Sequence, residues 1–352
     1  MSSIDPDLRV DQFDFDLPGE LIAQTPLERR DASRLMVVER STGLISHRTI
    51  RDLPRFLRAG DLVVVNNTRV YAGRMAGKRA SGGSVELLLL RREAESWLAL
   101  AKPAKRLRVG ERVALRASSG VSADVLGATI VRQLGDGLVE ITLTSVVERE
   151  LERVGSAPLP PYIHERLADP ERYQTVFATM LGSAAAPTAG LHLTAELLRE
   201  LDSAGMSIGY ATLHVGLDTF RPVAVERVAD HVIHREWCEV SPDLGAKIAE
   251  TRRNGGRIIA VGTTTARTLE TLGREASDTL EFGWSGWTDI FITPGYRWRA
   301  VDGLLTNFHL PRSTLLMMVS AFAGTELIRT SYSVAITERY RFFSFGDAQL
   351  IL

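Results

Sequence analysis

Between Thr194 and Leu272 the chain alternates twice between a capped helix and an apolar strand, and this alternation narrows the folds open to it more than any other feature. Thr194 is placed to cap a helix with the apolar stripe Leu197, Leu198, Leu201 and Ala204, and Gly205 stops it. Met206 to Val215 then reads as a strand. Ser241-Pro242-Asp243 opens a second helix, serine as cap and proline in the first position, that runs to Asn254-Gly255-Gly256. Arg257 to Val261 follows as a strand broken by Gly262, Thr263 to Thr265 form a hydroxyl-rich turn, and Ala266 to Leu272 is a helix. Asp289 to Ile292 reads as another short strand, and Ser313 to Tyr340 carries helical stretches broken near Gly324. This pattern predicts an α/β fold with a mainly parallel sheet and helices on both faces.

A different pattern occupies the middle of the chain. From Arg69 to Thr144 short apolar runs alternate with turns such as Ser81-Gly82-Gly83 and Gly135-Asp136-Gly137, the spacing of a small β-barrel. The expected organisation is a discontinuous α/β catalytic domain, residues 1–68 and 152–352, with a β-barrel inserted at 69–151. At 352 residues, 45% hydrophobic, the chain can bury cores of that size. No apolar run approaches the roughly 18 to 20 residues of a membrane span, and the acidic stretch Met1 to Phe15 has no apolar core of a signal peptide. A cytoplasmic protein without a membrane partner is expected. The single Cys238 excludes an intramolecular disulfide. A net charge of −1 gives no global basic signal, so a nucleic-acid partner would have to meet a local patch. One excess of basic residues lies between Asn66 and Arg116, where Lys102, Lys105, Arg106 and Arg108 are the phosphate-binding candidates.

Several segments suit chemistry. Pro187-Thr188-Ala189-Gly190-Leu191-His192 feeds the Thr194-capped helix, and a loop entering a helix N-terminus offers free backbone N–H groups to an anion or carbonyl. The helix dipole would keep a histidine there neutral and available as a base, although the same residues also read as a turn with a structural histidine. His214-Val215-Gly216 ends a strand, where ligand residues gather in open α/β sheets. His234, Glu236 and Cys238 would share one face of a strand, yet their spacing matches no strong zinc signature, and no metal is expected. Gly262-Thr263-Thr264-Thr265-Ala266-Arg267 is a strand–turn–helix anion nest that lacks the lysine of a P-loop, and simple helix capping by threonine explains it as well.

Taken together these segments are more specific. Pro187 to His192, His214-Val215-Gly216, Asp230-His231 with His234 and Glu236, Val261 to Thr264 with Arg267 and Glu270, Gly286 to Ile292, and Thr306-Asn307-Phe308-His309-Leu310-Pro311 follow one another as in the tRNA ribosyltransferase-isomerases of the queuosine pathway, which the chain resembles. The resemblance extends to Leu17-Pro18, Ile22-Ala23-Gln24 and Arg29-Arg30, to Leu159 to Ile163 and Arg172 to Thr175, and to Tyr340 to Asp347. Leu193 and Leu217-Asp218 depart from the family's pattern, in positions that would affect pocket shape.

The resemblance implies a reaction of S-adenosylmethionine, as co-substrate, with 7-aminomethyl-7-deazaguanine in tRNA, giving epoxyqueuosine, adenine and methionine. No bound prosthetic group is implied, and a monomer is expected. One chemical route to that product starts with removal of a C5′ proton acidified by the sulfonium; the furanose opens as adenine leaves, the substrate amine adds at C4′, and the ylide closes onto C1′ before alkoxide displaces methionine. Such a route needs a base and a proton donor. His192 and His214 are the candidates, unassigned between the two roles. His231, His234, Asp302, Asn307 and His309 are candidates for holding the diol or adenine, Thr263, Thr264 and Arg267 for the methionine carboxylate, and Thr188, Gly190 and Gly262 for substrate binding more generally. Two other classes compete: an RNA methyltransferase, for which no acidic residue stands convincingly after the next strand, and a noncatalytic RNA-binding protein, which would leave the polar strand ends without a purpose.

Overall fold

The computed structural model describes residues 4–116, 126–165, 167–216, 223–276 and 279–352. In chain order the first strands are β1 (Arg34–Val38), β2 (Ile45–Thr49), β3 (Leu62–Asn66), β4 (Thr68–Val70), β5 (Arg74–Arg79), β6 (Ser84–Glu93), β7 (Ser96–Lys102), β8 (Arg112–Leu115), β9 (Gly127–Gly135) and β10 (Leu138–Leu143). Short helices α1 (Ser145–Arg149) and α2 (Leu151–Val154) precede β11 (Met180–Ser183), α3 (Ala195–Ser203), β12 (Ser207–Leu213), β13 (Glu236–Val240) and α4 (Pro242–Arg253). The remainder is β14 (Ile258–Val261), α5 (Thr263–Glu275), β15 (Trp284–Thr288), β16 (Gly303–Asn307), α6 (Thr314–Ala323), α7 (Thr325–Thr337) and β17 (Ala348–Ile351). The chain divides into two compact units, one of residues 1–67, Pro161–Thr179 and Pro187–Leu352, the other of Thr68–Pro160 and Met180–Ala186.

The first unit is built on a nine-stranded sheet in the order β15-β13-β12-β3-β14-β16-β17-β1-β2. Near its centre, β3 is four aliphatic residues closed by Asn66, as a strand covered on both faces requires. Alternation sends Leu62 and Val64 to one face, where they pack with Leu244, Ile248, Leu269 and Leu272 of α4 and α5. Val63 and Val65 meet Leu197 and Leu201 of α3 on the other. Each such side chain contributes about 1.5–3 kcal/mol by leaving water.

The sheet is mixed, which corrects the expectation of a mainly parallel one. Four of its eight ladders are parallel (β12 with β3, β3 with β14, β14 with β16, β17 with β1) and four antiparallel. The parallel core β12-β3-β14-β16 is what helix–strand alternation reveals. The antiparallel ladders come from the strands flanking that core, β13 on β12 and β15 on β13 at one end, β17 on β16 and β2 on β1 at the other. The strand expected at Asp289 to Ile292 lies earlier, at Trp284–Thr288. Thr288 pairs with Glu236, the first residue of β13, so beyond it no partner strand remains; Ile290 N–H donates instead to Thr288 Oγ1 at 3.3 Å.

Capping sets the helix starts as expected. Thr194 Oγ1 accepts from Leu197 N at 3.1 Å and Ser241 Oγ from Leu244 N at 3.3 Å, contacts typically worth about 1 kcal/mol each. Thr263 to Thr265, expected as a turn, form the first turn of α5 itself. Gly262 makes this possible with φ of +88°, a conformation side chains resist.

The second unit is a closed six-stranded barrel, β10-β7-β6-β5-β8-β9, with Met75, Leu87, Leu89, Val113, Ile130 and Ile141 inside. A Cβ at Gly77 would sit 2.6 Å from Val113 Cγ1, so β5 lies too close to β8 for any side chain there. The short β11 pairs in parallel with β4.

Candidate active site

Because β12, β3, β14 and β16 run parallel, their C-terminal ends bring Leu213 and His214, Asn66, Gly262 and Asn307 to one edge of the sheet. The strands that lead to His214 and Gly262 are not neighbours, for β3 lies between them. Asn66, which closes that strand on the α5 side, bridges the gap: its Oδ1 accepts from Leu213 N at 3.1 Å, and its Nδ2 donates to Leu213 O at 3.0 Å and Thr264 Oγ1 at 3.3 Å.

Gly262 turns the chain into α5, whose first N–H groups at Thr263, Thr264 and Thr265 precede the first intrahelical bond, Ala266 N to Gly262 O. A Cβ at Gly262 would lie 3.4 Å from Ala189 Cβ, so the α5 entrance abuts the Thr188–His192 3-10 turn. Gly190 within that turn has no room for a side chain, since a Cβ would meet Phe177 Cζ at 2.8 Å.

His192 ends the turn and is buried. Its Nε2 lies 3.1 Å from Asn307 Oδ1, while Asn307 Nδ2 donates to Thr188 Oγ1 at 3.1 Å and Phe343 O at 3.2 Å. With the amide's donors used elsewhere, the ring must donate through Nε2–H, which leaves Nδ1 as the acceptor of neutral imidazole. Burial first, then the charges of Arg341 and Arg30, push the ring's pKa down to about 4 against the opposing bond to Asn307. Neutrality at pH 7 was expected, and burial is its first cause. His214 is half-buried, its pKa also lowered by burial, and its backbone N–H donates to Trp237 O at 3.0 Å.

The other candidates divide. Thr188, Gly190, Gly262, Thr263, Thr264 and Asn307 share this edge. Arg267, one turn into α5, is buried and ion-paired with Glu236 Oε2, and Glu236 Oε1 accepts from Gly216 N at 2.9 Å. The pair meets part of the Arg267 charge within the protein, and Arg267 Nε and Nη2 are buried without a hydrogen-bond partner. His309 is buried against Thr306 Oγ1 at 3.0 Å, and burial lowers its pKa to about 3. Asp302 lies at the opposite edge: it precedes β16, and its Oδ2 accepts from Ile258 N at the start of β14 at 2.9 Å. It supports the sheet away from the other candidates. His231 packs edge-on against Phe291 and is half-buried, whereas His234 is exposed and precedes β13, so it does not join Glu236 and Cys238 on that strand. Leu193 is fully buried in the core against α3 and so does not shape an open pocket. Leu217-Asp218 lie outside the described residues. On the barrel unit, Lys102, Lys105, Arg106 and Arg108 are all exposed around the connection from β7 to β8.

One site residue, Asn66, escaped the sequence reading, and Glu270 was named there only within the family's pattern, without its partners. Asn66 carried a signal, an amide closing a run of four buried aliphatics where a strand end should face solvent or a ligand. Glu270, fully buried on α5, accepts from the backbone of Arg299, Ala300 and Val301 and from Tyr296 Oη at 2.8–3.0 Å, tying the approach to β16 to α5. Nothing in the spacing of Glu270 announced that loop.

A family model described as a queuosine biosynthesis protein matches residues 10–351. The chain belongs to this family. It is 55% identical over 347 residues to the S-adenosylmethionine:tRNA ribosyltransferase-isomerase of Symbiobacterium thermophilum, covering 98% of this chain and all of that protein. Among solved structures it is similar to an S-adenosylmethionine tRNA ribosyltransferase from Thermotoga maritima, with 37% identity, a TM-score of 0.57, and coverage of 97% of this chain and 100% of that one. The family therefore spans both units, the barrel included.

Proposed function

We propose that this chain is an S-adenosylmethionine:tRNA ribosyltransferase-isomerase of queuosine biosynthesis, a transferase that uses S-adenosylmethionine as co-substrate. The observation that carries the reading is the 55% identity to an enzyme of that name across the whole of both chains. Its finer form is that the ribosyl group goes to 7-aminomethyl-7-deazaguanine in tRNA, giving epoxyqueuosine, adenine and methionine, by a cytoplasmic monomer. No helix of the described residues is long and apolar enough to cross a membrane.

The site geometry supports an acid–base role for two histidines. Both His192 and His214 have their pKa lowered by burial, the state from which a ring can accept the C5′ proton. The histidine that takes it becomes an imidazolium, a donor for departing adenine. Thr188, Asn307, Gly262, Thr263 and Thr264 would position the substrate along the same strand ends, and the free N–H groups of α5 suit the methionine carboxylate. In this division of labour the α/β part, residues 1–68 and 152–352, carries the chemistry, and the barrel at 69–151 carries tRNA contacts through Lys102, Lys105, Arg106 and Arg108.

The test is product identity. With methyl-labelled S-adenosylmethionine and a tRNA bearing the aminomethyl base, the label should end in free methionine and adenine should be released. Label retained in the tRNA would instead mean methyl transfer.

A further inference from the structure

Three segments far apart in sequence meet around His192. A small cleft in the first unit is lined by Arg30, Ser33, Arg172, His192, Ser344 and Gly346, among others. We propose that this cleft is an anion subsite that holds one oxyanion group, a phosphodiester of tRNA or the carboxylate of S-adenosylmethionine, between Arg30 and Arg172 beside His192. The inference rests on the function proposed above and adds to it a binding element beside His192.

The arginines are anchored but not neutralised. Arg30 Nη1 donates to Gln174 O at 2.6 Å and Nη2 to Glu171 O at 3.1 Å; Arg172 Nη1 donates to Glu28 O at 2.9 Å and Nη2 to Leu27 O. Arg341, whose charge also reaches His192, donates to Thr25 O. Backbone carbonyls fix these guanidinium groups in place without cancelling their charge, and among the described residues none of the three is in an ion pair. Arg172 Nε and Arg341 Nη1 are buried with no hydrogen-bond partner. Such donors are costly when left so, and more so when charged.

Arg30 bears the consequence, its pKa lowered by burial and by Arg172 nearby, with Asp169 and Glu171 offsetting this only in part. Like charges gathered in a half-buried cleft are unfavourable until an anion offsets them, and guanidinium forks match phosphate and carboxylate oxygens. An anion there would also relieve the repulsion that Arg341 and Arg30 exert on protonated His192. Ligand binding would then raise the histidine's proton affinity at the moment the reaction requires a donor. The bare protein keeps the ring neutral.

The experiment measures binding to wild type, Arg30→Gln and Arg172→Gln, with S-adenosylmethionine in one arm and an anticodon stem-loop RNA across a salt series in the other. Loss of about tenfold in RNA affinity, with a shallower salt slope and unchanged S-adenosylmethionine binding, identifies the phosphodiester. The reverse identifies the carboxylate. Folded variants that bind both as wild type does overturn the subsite, while wild-type turnover separately reports whether the proposed reaction stands. Should both variants unfold, wild type decides: inorganic phosphate should raise its melting temperature above that in chloride of equal ionic strength, and identical melting would overturn the proposal.

Discussion

His192 Nε2 and Asn307 Oδ1, 3.1 Å apart, join the Thr188–His192 turn to the end of β16 and thereby set which ring nitrogen of the histidine stays open. The same amide holds Thr188 through its Nδ2, so one residue orders both ends of the turn.

Removing either partner should therefore separate chemistry from folding. His192→Ala is expected to lower the single-turnover rate by at least about a hundredfold, the lower range for a general acid–base group. Asn307→Ala, which frees the tautomer, should lower it less while tRNA affinity stays near wild type. Rapid-quench measurement at saturating S-adenosylmethionine and tRNA checks this, and full turnover by His192→Ala would remove it from the mechanism.

Acid should destabilise the protein as pH falls through the ordinary histidine range. His192 and His309 are held at about 4 and about 3, first by burial, against an ordinary 6.5. As pH falls through 6.5 the unfolded chain takes up protons on both and the folded chain does not. Stability present above pH 6.5 is then lost, by up to about 1.4 kcal/mol per pH unit for each histidine. Urea midpoints should drop between pH 7.5 and 5, and His309→Gln should flatten the slope. An unaltered slope in that variant would exclude His309 as a source.

The pair of Arg267 and Glu236 offers a sharper stability test. Arg267→Met alone strands a buried carboxylate and should cost about 3–5 kcal/mol. Adding Glu236→Gln, which keeps an acceptor for Gly216 N, should recover much of it. Chemical denaturation of the single and double variants would reveal the coupling; simple additivity would mean the two charges act independently.

On the barrel, replacing Lys102, Lys105, Arg106 and Arg108 by alanine should weaken tRNA binding and flatten its salt dependence without changing S-adenosylmethionine affinity. These side chains are exposed, so the fold should be indifferent. Filter binding from low to moderate salt tests it, and unchanged affinity would assign the patch to solvent.

Local chemistry was legible in the residues. Thr194 and Ser241 cap their helices, Gly262 breaks the chain between β14 and α5, and alternating runs with glycine turns make a barrel, because each depends on neighbours a few positions away. Family membership followed from the order of such segments. Partnership across the fold was not legible. That Thr288 pairs with Glu236, that β3 stands between the strands ending at His214 and Gly262, that Asp302 lies at the far edge, and that Arg267 is ion-paired with Glu236 are consequences of strand order and register. Register is settled by which apolar faces can be buried together, and burial is then the first cause that keeps the His192 ring neutral.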